Sequence, residues 1–296
     1  MDKTDNLHFR PIDIDVWYPA TPLPLDSLLR FGSFLQTLED RANFYSAPQK
    51  FDSIPQTVAK SFCDGFACSK PDLVLQFHTA TYDKPKPVAK RFPLIVYLAS
   101  FGSMGYENYL LFESLAQKGH VVACVNSIGR YPGYMTMKSA DLMEQVADAH
   151  KIINRLKKSV NIDTTKIGVL GYSWGGLAAS LVAMQRHDIA TVVSFDGSEF
   201  HHYGYTKSED NDFDETVNTP FFKNSALSVP YLRLESNPQP SKTKKDSTYN
   251  FLQKVSAAKQ VIKIDSASIR TSHPYRPPSV LRVNVPHQTP IEGFAP

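Results

Sequence analysis

The chain lacks the features that mark several classes of protein. It has no run of about eighteen apolar residues and no apolar segment in its polar N-terminus, so no membrane span or signal peptide is visible. It also has no block of basic residues, and 32 Lys and Arg against 29 Asp and Glu leave a formal charge of +3. Neither nucleic acid nor an anionic membrane surface is therefore expected as a partner.

Cysteine is scarce, with 3 residues in 296, and an odd number does not describe a disulfide framework. Cys124 lies in an apolar run and is expected in the core, whereas Cys63 and Cys68 are close enough in sequence to pair. No second cysteine pair and no His pair at ligand spacing accompanies them, so a zinc site is not expected. The chemistry proposed below requires no metal or organic cofactor.

The hydrophobic content of 42% in 296 residues is enough for a sizeable core, and we expect one domain over residues 1–296. Short apolar, β-branched segments alternate with segments of helical period, chiefly 109–115 and 140–158. This alternation predicts an α/β fold with a mostly parallel central sheet, covered by helices on both faces, and ligands at the carboxyl ends of the strands. The predicted strands are residues 13–18, 73–77, 93–98, 121–125, 167–170, 191–195, 230–234 and 260–264.

Three segments interrupt or end this alternation. Residues 21–71 carry apolar residues at helical spacing and are predicted to be a helical insertion, either a cap or extra packing. Residues 198–229 are aromatic and polar and leave from the end of a predicted strand, so they are a candidate pocket wall. Residues 271–296 contain six prolines, which forbid a regular helix and predict an irregular tail.

The strongest chemical signal is Gly171-Tyr172-Ser173-Trp174-Gly175. A predicted strand enters this motif, and a helix rich in small residues leaves it, which is the context that gives the pattern meaning. A sharp turn between strand and helix raises the central serine above the sheet edge, and the glycines supply the clearance. The helix N-terminus adds partial positive charge where an oxyanion would develop. The motif predicts Ser173 as the nucleophile of an acyl transfer.

This motif, with Asn161 to Ile167 leading into it, resembles the α/β-hydrolase superfamily. Within the superfamily, the chain is similar to bacterial proteins like platelet-activating-factor acetylhydrolase and dienelactone hydrolase, as Trp17-Tyr18-Pro19 in the first predicted strand also indicates. The resemblance extends from about residue 12 to residue 266. It implies an α/β-hydrolase fold and a serine hydrolase acting on esters.

The resemblance also implies where the oxyanion hole lies. The amide of Trp174, the residue after the nucleophile, is one expected donor. The second is expected from the loop after strand 93–98, where Phe101 is the best position by similarity. The family often has His-Gly in this loop, whereas this chain has Ala99 and Ser100.

The acid and the base should follow the serine in the order Ser, Asp or Glu, His. Asp196 ends the predicted strand 191–195 and is the expected acid, with Glu235 at the end of the next strand as the alternative. By similarity the base lies just beyond the last strand, where His273 is the first histidine and His287 is the alternative.

The predicted activity is two-step hydrolysis of a small-molecule carboxylic ester, with short acyl or phospholipid-like groups as the expected substrates. Two alternatives remain: a non-catalytic ligand-binding protein of the same fold, and a serine peptidase. The proline-rich tail departs from the family, whose members end in a helix, and one hypothesis is that it is not native to the fold. The polar start fits a cytoplasmic protein and equally an exported one without its leader. The oligomeric state is not predicted.

Overall fold

The computed structural model describes residue 12 and residues 14–45, 50–66, 68–127, 135–159, 161–200, 211–236 and 249–264. In this part of the chain, strands and helices alternate as the sequence predicts. The strands are β1 (Ile14–Trp17), β2 (Ala20–Thr21), β3 (Leu28–Arg30), β4 (His78–Tyr82), β5 (Lys86–Pro87), β6 (Phe92–Leu98), β7 (Val121–Val125), β8 (Ile162–Tyr172), β9 (Thr191–Phe195), β10 (Tyr231–Ser236) and β11 (Lys259–Ile264). The helices are α1 (Phe31–Tyr45), α2 (Ile54–Phe66), α3 (Pro71–Leu75), α4 (Tyr109–Gln117), α5 (Ser139–Leu156), α6 (Trp174–Gln185), α7 (Asn211–Val217) and α8 (Pro220–Asn224).

The central sheet has seven strands in the order β1-β7-β6-β8-β9-β10-β11. Strand β1 runs antiparallel to β7, and the other neighbouring pairs are parallel. All five residues of β7 are buried, as expected for a strand covered on both faces. The predicted α/β-hydrolase fold is confirmed. The carboxyl ends of β6, β8 and β9 lie side by side, and this edge carries the candidate site.

The core has one apolar cluster on each face of the sheet. On one face, α5 and α6 pack on the strands, and α5 buries the face predicted from its period, including Leu142, Val146 and Ile153. On the other face, α4 packs together with the helical insertion, and Tyr97 and Phe112 lie at its centre. Helix α6 is buried continuously over its first ten residues, because it lies between the sheet and α5.

The predicted strand at 73–77 is wrong. This segment forms α3 (Pro71–Leu75), with Pro71 in the first helical turn, where a proline is favoured because no amide hydrogen is needed there. The strand begins only at His78, and β4 pairs with β3 outside the central sheet. A short apolar run is compatible with either a buried strand or a helix, so its period does not decide between them.

The helical insertion shares the core of the main domain. Phe31, Leu35 and Cys63 are buried in the same cluster as residues of β6 and α4. An ion pair of 2.8 Å between Arg41 and Asp15 ties α1 to β1. The described helices of the segment 21–71 therefore extend the core beside α4 and β1.

The candidate pocket wall at 198–229 is only partly described. Phe213 and Phe222 are 5% and 1% exposed and pack against Tyr249 and Phe251, so these two rings belong to the core. Phe221 is 41% exposed. Residues 201–210, with half of the aromatic and histidine side chains of this segment, lie outside the described residues.

Cys63 and Cys68 form a disulfide at the end of α2, and Cys124 is a buried free cysteine, as expected. Closing so short a loop restricts the unfolded chain, and we expect the oxidised protein to have a free energy of unfolding about 2 kcal/mol above that of the reduced protein. Urea denaturation with and without dithiothreitol measures this difference. The Cys68→Ala variant is the control and should not respond to the reductant. Equal denaturation midpoints for the oxidised and reduced wild type would contradict the prediction.

None of the described helices is long and apolar enough to cross a membrane. The predicted irregular tail at 271–296 lies beyond the last described residue.

Candidate active site

Ser173 lies at the junction of β8 and α6, at the carboxyl edge of the sheet. Its backbone has φ 53° and ψ −119°, a conformation that a residue with a side chain rarely adopts. Such strain persists only where the surroundings hold it, and two backbone bonds of 2.9 Å do so here. The Ser173 amide donates to the Phe195 carbonyl, and the Ser198 amide donates to the Ser173 carbonyl.

The glycines of the motif are required by close backbone approach. A methyl group on Gly171 would overlap the Gly175 carbonyl, and a methyl group on Gly175 would overlap the Leu98 carbonyl. Because Gly175 touches the last residue of β6, the start of α6 lies directly beside the loop that follows β6. The glycine pattern therefore allows both the sharp turn at Ser173 and the contact between these two segments.

Asp196 follows β9, the strand next to β8, and also has a positive φ of 43°. Its side chain is almost fully buried, and its Oδ1 accepts from the Ser236 amide at 2.8 Å. Burial raises the pKa of the Asp196 carboxyl, while the bonds from Ser236 and the charge of Arg233 act in the opposite direction. The structure thus places Asp196 at the sheet edge, at the end of the strand that pairs with the one leading into Ser173.

Glu235, the alternative acid, lies on β10, which is two strands away from β8. Its carboxylate is 3.8 Å from the Arg233 guanidinium. Asp196 is linked to the turn of Ser173 through its backbone neighbours Phe195 and Ser198, whereas Glu235 is one strand further away. The geometry favours Asp196.

The loop after β6 contains a tight turn, in which the Ser103 amide donates to the Ser100 carbonyl and Gly102 has φ 67°. A positive φ at the third position is typical of a type II turn, which leaves the amide of the second residue, Phe101, outside the turn's own hydrogen bond. The Phe101 ring packs edge-on against Trp174 with centroids 5.3 Å apart. The two predicted oxyanion donors therefore lie on contacting segments.

The Trp174 amide is the other predicted donor. Trp174 is the first residue of α6, so its amide has no acceptor within the helix. The side chain is 2% exposed, which holds the residue in place beneath the loop. A free amide at this helix end carries part of the positive charge of the helix dipole, which favours a bound oxyanion.

Two polar side chains that the sequence analysis missed hold this loop. Gln145 of α5 donates from Nε2 to the carbonyls of Ala99 (3.0 Å) and Val125 (3.2 Å), which joins the ends of β6 and β7. Asn126 accepts from the Gly105 amide at 3.1 Å. The sequence offered one sign of this role, because Gln145 is a polar residue among the positions that the period of α5 predicts to be buried.

The base cannot be placed, because His273 and His287 both lie outside the described residues. Strand β11, after which the resemblance places the base, ends at Ile264 on the same edge of the sheet. In the part of the chain that the structure describes, no group of three or more His, Cys, Asp or Glu side chains could hold a metal ion.

Comparison with known families finds two matches. The family described as X-Pro dipeptidyl-peptidase (S15 family) matches residues 11–210. The family described as the C-terminal part of BAAT / acyl-CoA thioester hydrolase matches residues 149–272. No curated protein sequence matches the chain.

Solved structures resemble this chain at low identity. A ferulic acid esterase from Streptomyces cinnamoneus is 17% identical, with a TM-score of 0.54, over 84% of this chain and 65% of that protein. This chain thus spans somewhat less than two thirds of that esterase. An esterase from Pyrobaculum calidifontis is 18% identical, with a TM-score of 0.46, over 63% of this chain and 70% of that protein. A Klebsiella pneumoniae protein assigned as a dienelactone hydrolase is 16% identical, with a TM-score of 0.45, over 62% of this chain and 78% of that protein.

The S15 match covers more than half of the chain, and it includes the strand-turn-helix motif at Ser173 and the carboxylate at Asp196. The seven-stranded sheet and the turn after β8 agree with it. The chain belongs to the X-Pro dipeptidyl-peptidase (S15) family, within the α/β-hydrolase superfamily of serine hydrolases.

Proposed function

We propose that this chain hydrolyses carboxylic esters through an acyl-enzyme formed on Ser173. The observation that carries the proposal is the backbone of Ser173, which has φ 53° at the N-terminus of a buried helix and lies beside the turn that bears Asp196. This strained position presents a serine hydroxyl at the sheet edge, which is the arrangement that nucleophilic acyl transfer uses.

The proposed reaction has two steps. A histidine, His273 or alternatively His287, takes the proton from Ser173 as the hydroxyl attacks the ester carbonyl, and Asp196 keeps the imidazole oriented. The amides of Trp174 and Phe101 donate to the tetrahedral oxyanion. The alcohol leaves with the proton from the histidine, and water then attacks the acyl-enzyme and releases the acid. No metal or organic cofactor takes part.

Esters are the preferred substrate class for a chemical reason. An alcohol is a better leaving group than an amine, so expelling an amine places a stricter demand on the position of the histidine as general acid. A serine hydrolase that cleaves amides therefore cleaves activated esters as well. The fold supports ester hydrolysis in the Streptomyces cinnamoneus relative, whose name is ferulic acid esterase. Short acyl or phospholipid-like esters are the proposed small-molecule substrates.

The second candidate function is cleavage of peptides after an X-Pro pair, and the family match over residues 11–210 favours it. It requires the same nucleophile and oxyanion donors. An X-Pro anilide should then be hydrolysed in addition to a nitrophenyl ester. Cleavage of the ester without the anilide supports the esterase proposal, and faster cleavage of the anilide supports the peptidase.

The first test is intact-mass analysis after treatment with a fluorophosphonate probe. We expect one probe per wild-type chain and none on Ser173→Ala, because only an activated serine reacts readily. Ser69→Ala, which removes an exposed serine in the helical insertion, is the control and should label like the wild type. A folded wild-type protein that takes up no probe would contradict the proposal and favour a non-catalytic binding protein.

A further inference from the structure

Glu107 is a buried acid that the proposed reaction does not use. It lies in the short 3-10 helix Gly105–Asn108 that precedes α4, and it is 3% exposed. Burying a carboxylate is costly unless its oxygens accept several hydrogen bonds. Burial raises the pKa of Glu107, and the bonds from Ser100 and Tyr97 oppose that shift. A carboxyl group buried in such a place calls for a structural reason.

The donors to Glu107 come from the end of β6 and the loop behind it. Oε1 accepts from the Tyr97 hydroxyl at 2.6 Å and from the Ser100 amide at 2.9 Å. Oε2 accepts from the Ser100 hydroxyl at 2.5 Å. Two of the three bonds therefore go to one residue, Ser100, which is held by its backbone and its side chain at the same time.

Ser100 is the residue that decides where the Phe101 amide points. Its carbonyl accepts from the Ser103 amide and closes the turn. The same peptide group carries the Phe101 amide, so the direction of the Ser100 carbonyl also sets the direction of that amide. With its amide and hydroxyl bonded to Glu107 and its carbonyl bonded to the Ser103 amide, Ser100 is restricted in rotation on both sides of its Cα. The Phe101 amide is thereby held in one direction, on a residue whose ring packs against Trp174.

We propose that Glu107 is a positioning residue for the oxyanion hole, acting through Ser100 on the Phe101 amide. The inference rests on the proposed function of Ser173 and extends it. An oxyanion donor stabilises the transition state only where it is oriented before the reaction, and removal of one donor costs about 10²- to 10³-fold in kcat. Loss of Glu107 leaves the donor in place and removes what orients it.

The test measures ester hydrolysis by Glu107→Ala and Glu107→Gln, with each rate divided by the concentration of sites that react with the fluorophosphonate. We expect Glu107→Ala to lower kcat by about 10²-fold with KM nearly unchanged, because only the transition state carries the oxyanion. The Ki of a trifluoromethyl ketone ester analogue, whose adduct carries that oxyanion, should rise by a similar factor. Glu107→Gln keeps the shape and can still accept from the Ser100 amide, so it should recover most of kcat.

A matched pair separates positioning from stability. Ser100→Ala and Tyr97→Phe each remove one hydroxyl bond to the same carboxylate, but only Ser100 belongs to the loop. We expect Ser100→Ala to lower kcat and to raise the Ki of the trifluoromethyl ketone. Tyr97→Phe should lower the unfolding midpoint and leave both kinetic values near those of the wild type. This pair also keeps the proposal testable if Glu107→Ala does not fold.

Each outcome has one meaning. Suppose that the wild type reacts with the probe and cleaves the ester, so that the proposed function stands. If kcat per reactive site in Glu107→Ala and Ser100→Ala then stays within about threefold of the wild-type value, the positioning role is wrong. Equal losses of kcat in Ser100→Ala and Tyr97→Phe would also overturn it, since they would indicate a general loss of structure. If the wild type itself neither reacts nor cleaves, the proposed function fails first.

Discussion

Asp196→Asn is expected to lower kcat for a nitrophenyl ester by about 10⁴-fold, because the amide would favour the wrong tautomer of the catalytic histidine. Asparagine has nearly the same size and tolerates the positive φ of 43° at this position, so the fold should be retained. Steady-state kinetics and circular dichroism of the two proteins measure the effect. A large loss of kcat without a change in the unfolding midpoint would identify Asp196 as the acid.

The matched control is Glu235→Gln. Glu235 lies one strand further from Ser173, and its carboxylate is 3.8 Å from the guanidinium of Arg233. We expect this variant to keep kcat within about threefold of wild type. If Glu235→Gln loses activity and Asp196→Asn does not, the acid lies at the end of β10 and the assignment of Asp196 is wrong.

Arg233→Met is expected to lower the free energy of unfolding by about 3–5 kcal/mol, because removing one member of a buried ion pair leaves the other charge without compensation. The side chains of Arg233 and Glu199 are both 0% exposed, and their closest charged atoms are 3.5 Å apart. Arg233 also donates to the Gly197 carbonyl at 2.9 Å and lies 4.0 Å from the centroid of the Phe200 ring. Urea denaturation of wild type and variant measures the loss.

The control for this prediction is the double variant Arg233→Met with Glu199→Gln, which removes both charges. It should regain part of the lost stability, since no uncompensated charge remains and the introduced amide would keep an acceptor for the 2.6 Å bond that Tyr231 donates to Glu199. Glu199 lies against Gly176 and Gly197, so this cluster packs under the first turn of α6 and the turn after β9. If Arg233→Met alone had the same free energy of unfolding as the wild type, the prediction would be wrong.

The fold class and the turn at Ser173 were predictable because both depend on local patterns. Apolar strands that alternate with amphipathic helices permit few arrangements other than a parallel sheet covered on both faces. A glycine two residues before and after a serine, between a strand and a helix, predicts a sharp turn, and the positive φ of Ser173 agrees. The segment 73–77 was misassigned because a run of five residues, four of them apolar, is too short to show a period.

The roles of Glu107, Gln145 and Arg233 were not predictable from their surroundings in the sequence. Each side chain is buried and binds residues that come from other elements, and Gln145 bonds residues 46 and 20 positions away. The partners of Gln145 and Arg233 become neighbours only when the sheet forms, and those of Glu107 only when the loop after β6 folds back, so no local pattern reveals them. The position of the base stays a prediction, with His273 and His287 as its candidates.

The sequence alone determined which residue is the candidate nucleophile and which class of sheet presents it, because glycine clearance and hydrophobic periodicity are properties of short segments. The tertiary structure decided which candidate acid lies nearer to that serine and which buried side chains bond the loop after β6. The order of strands places Asp196 at the end of the strand next to β8 and Glu235 one strand further away. Hydrogen bonds between distant residues are selected by the packing of whole elements, and that selection is absent from any local pattern.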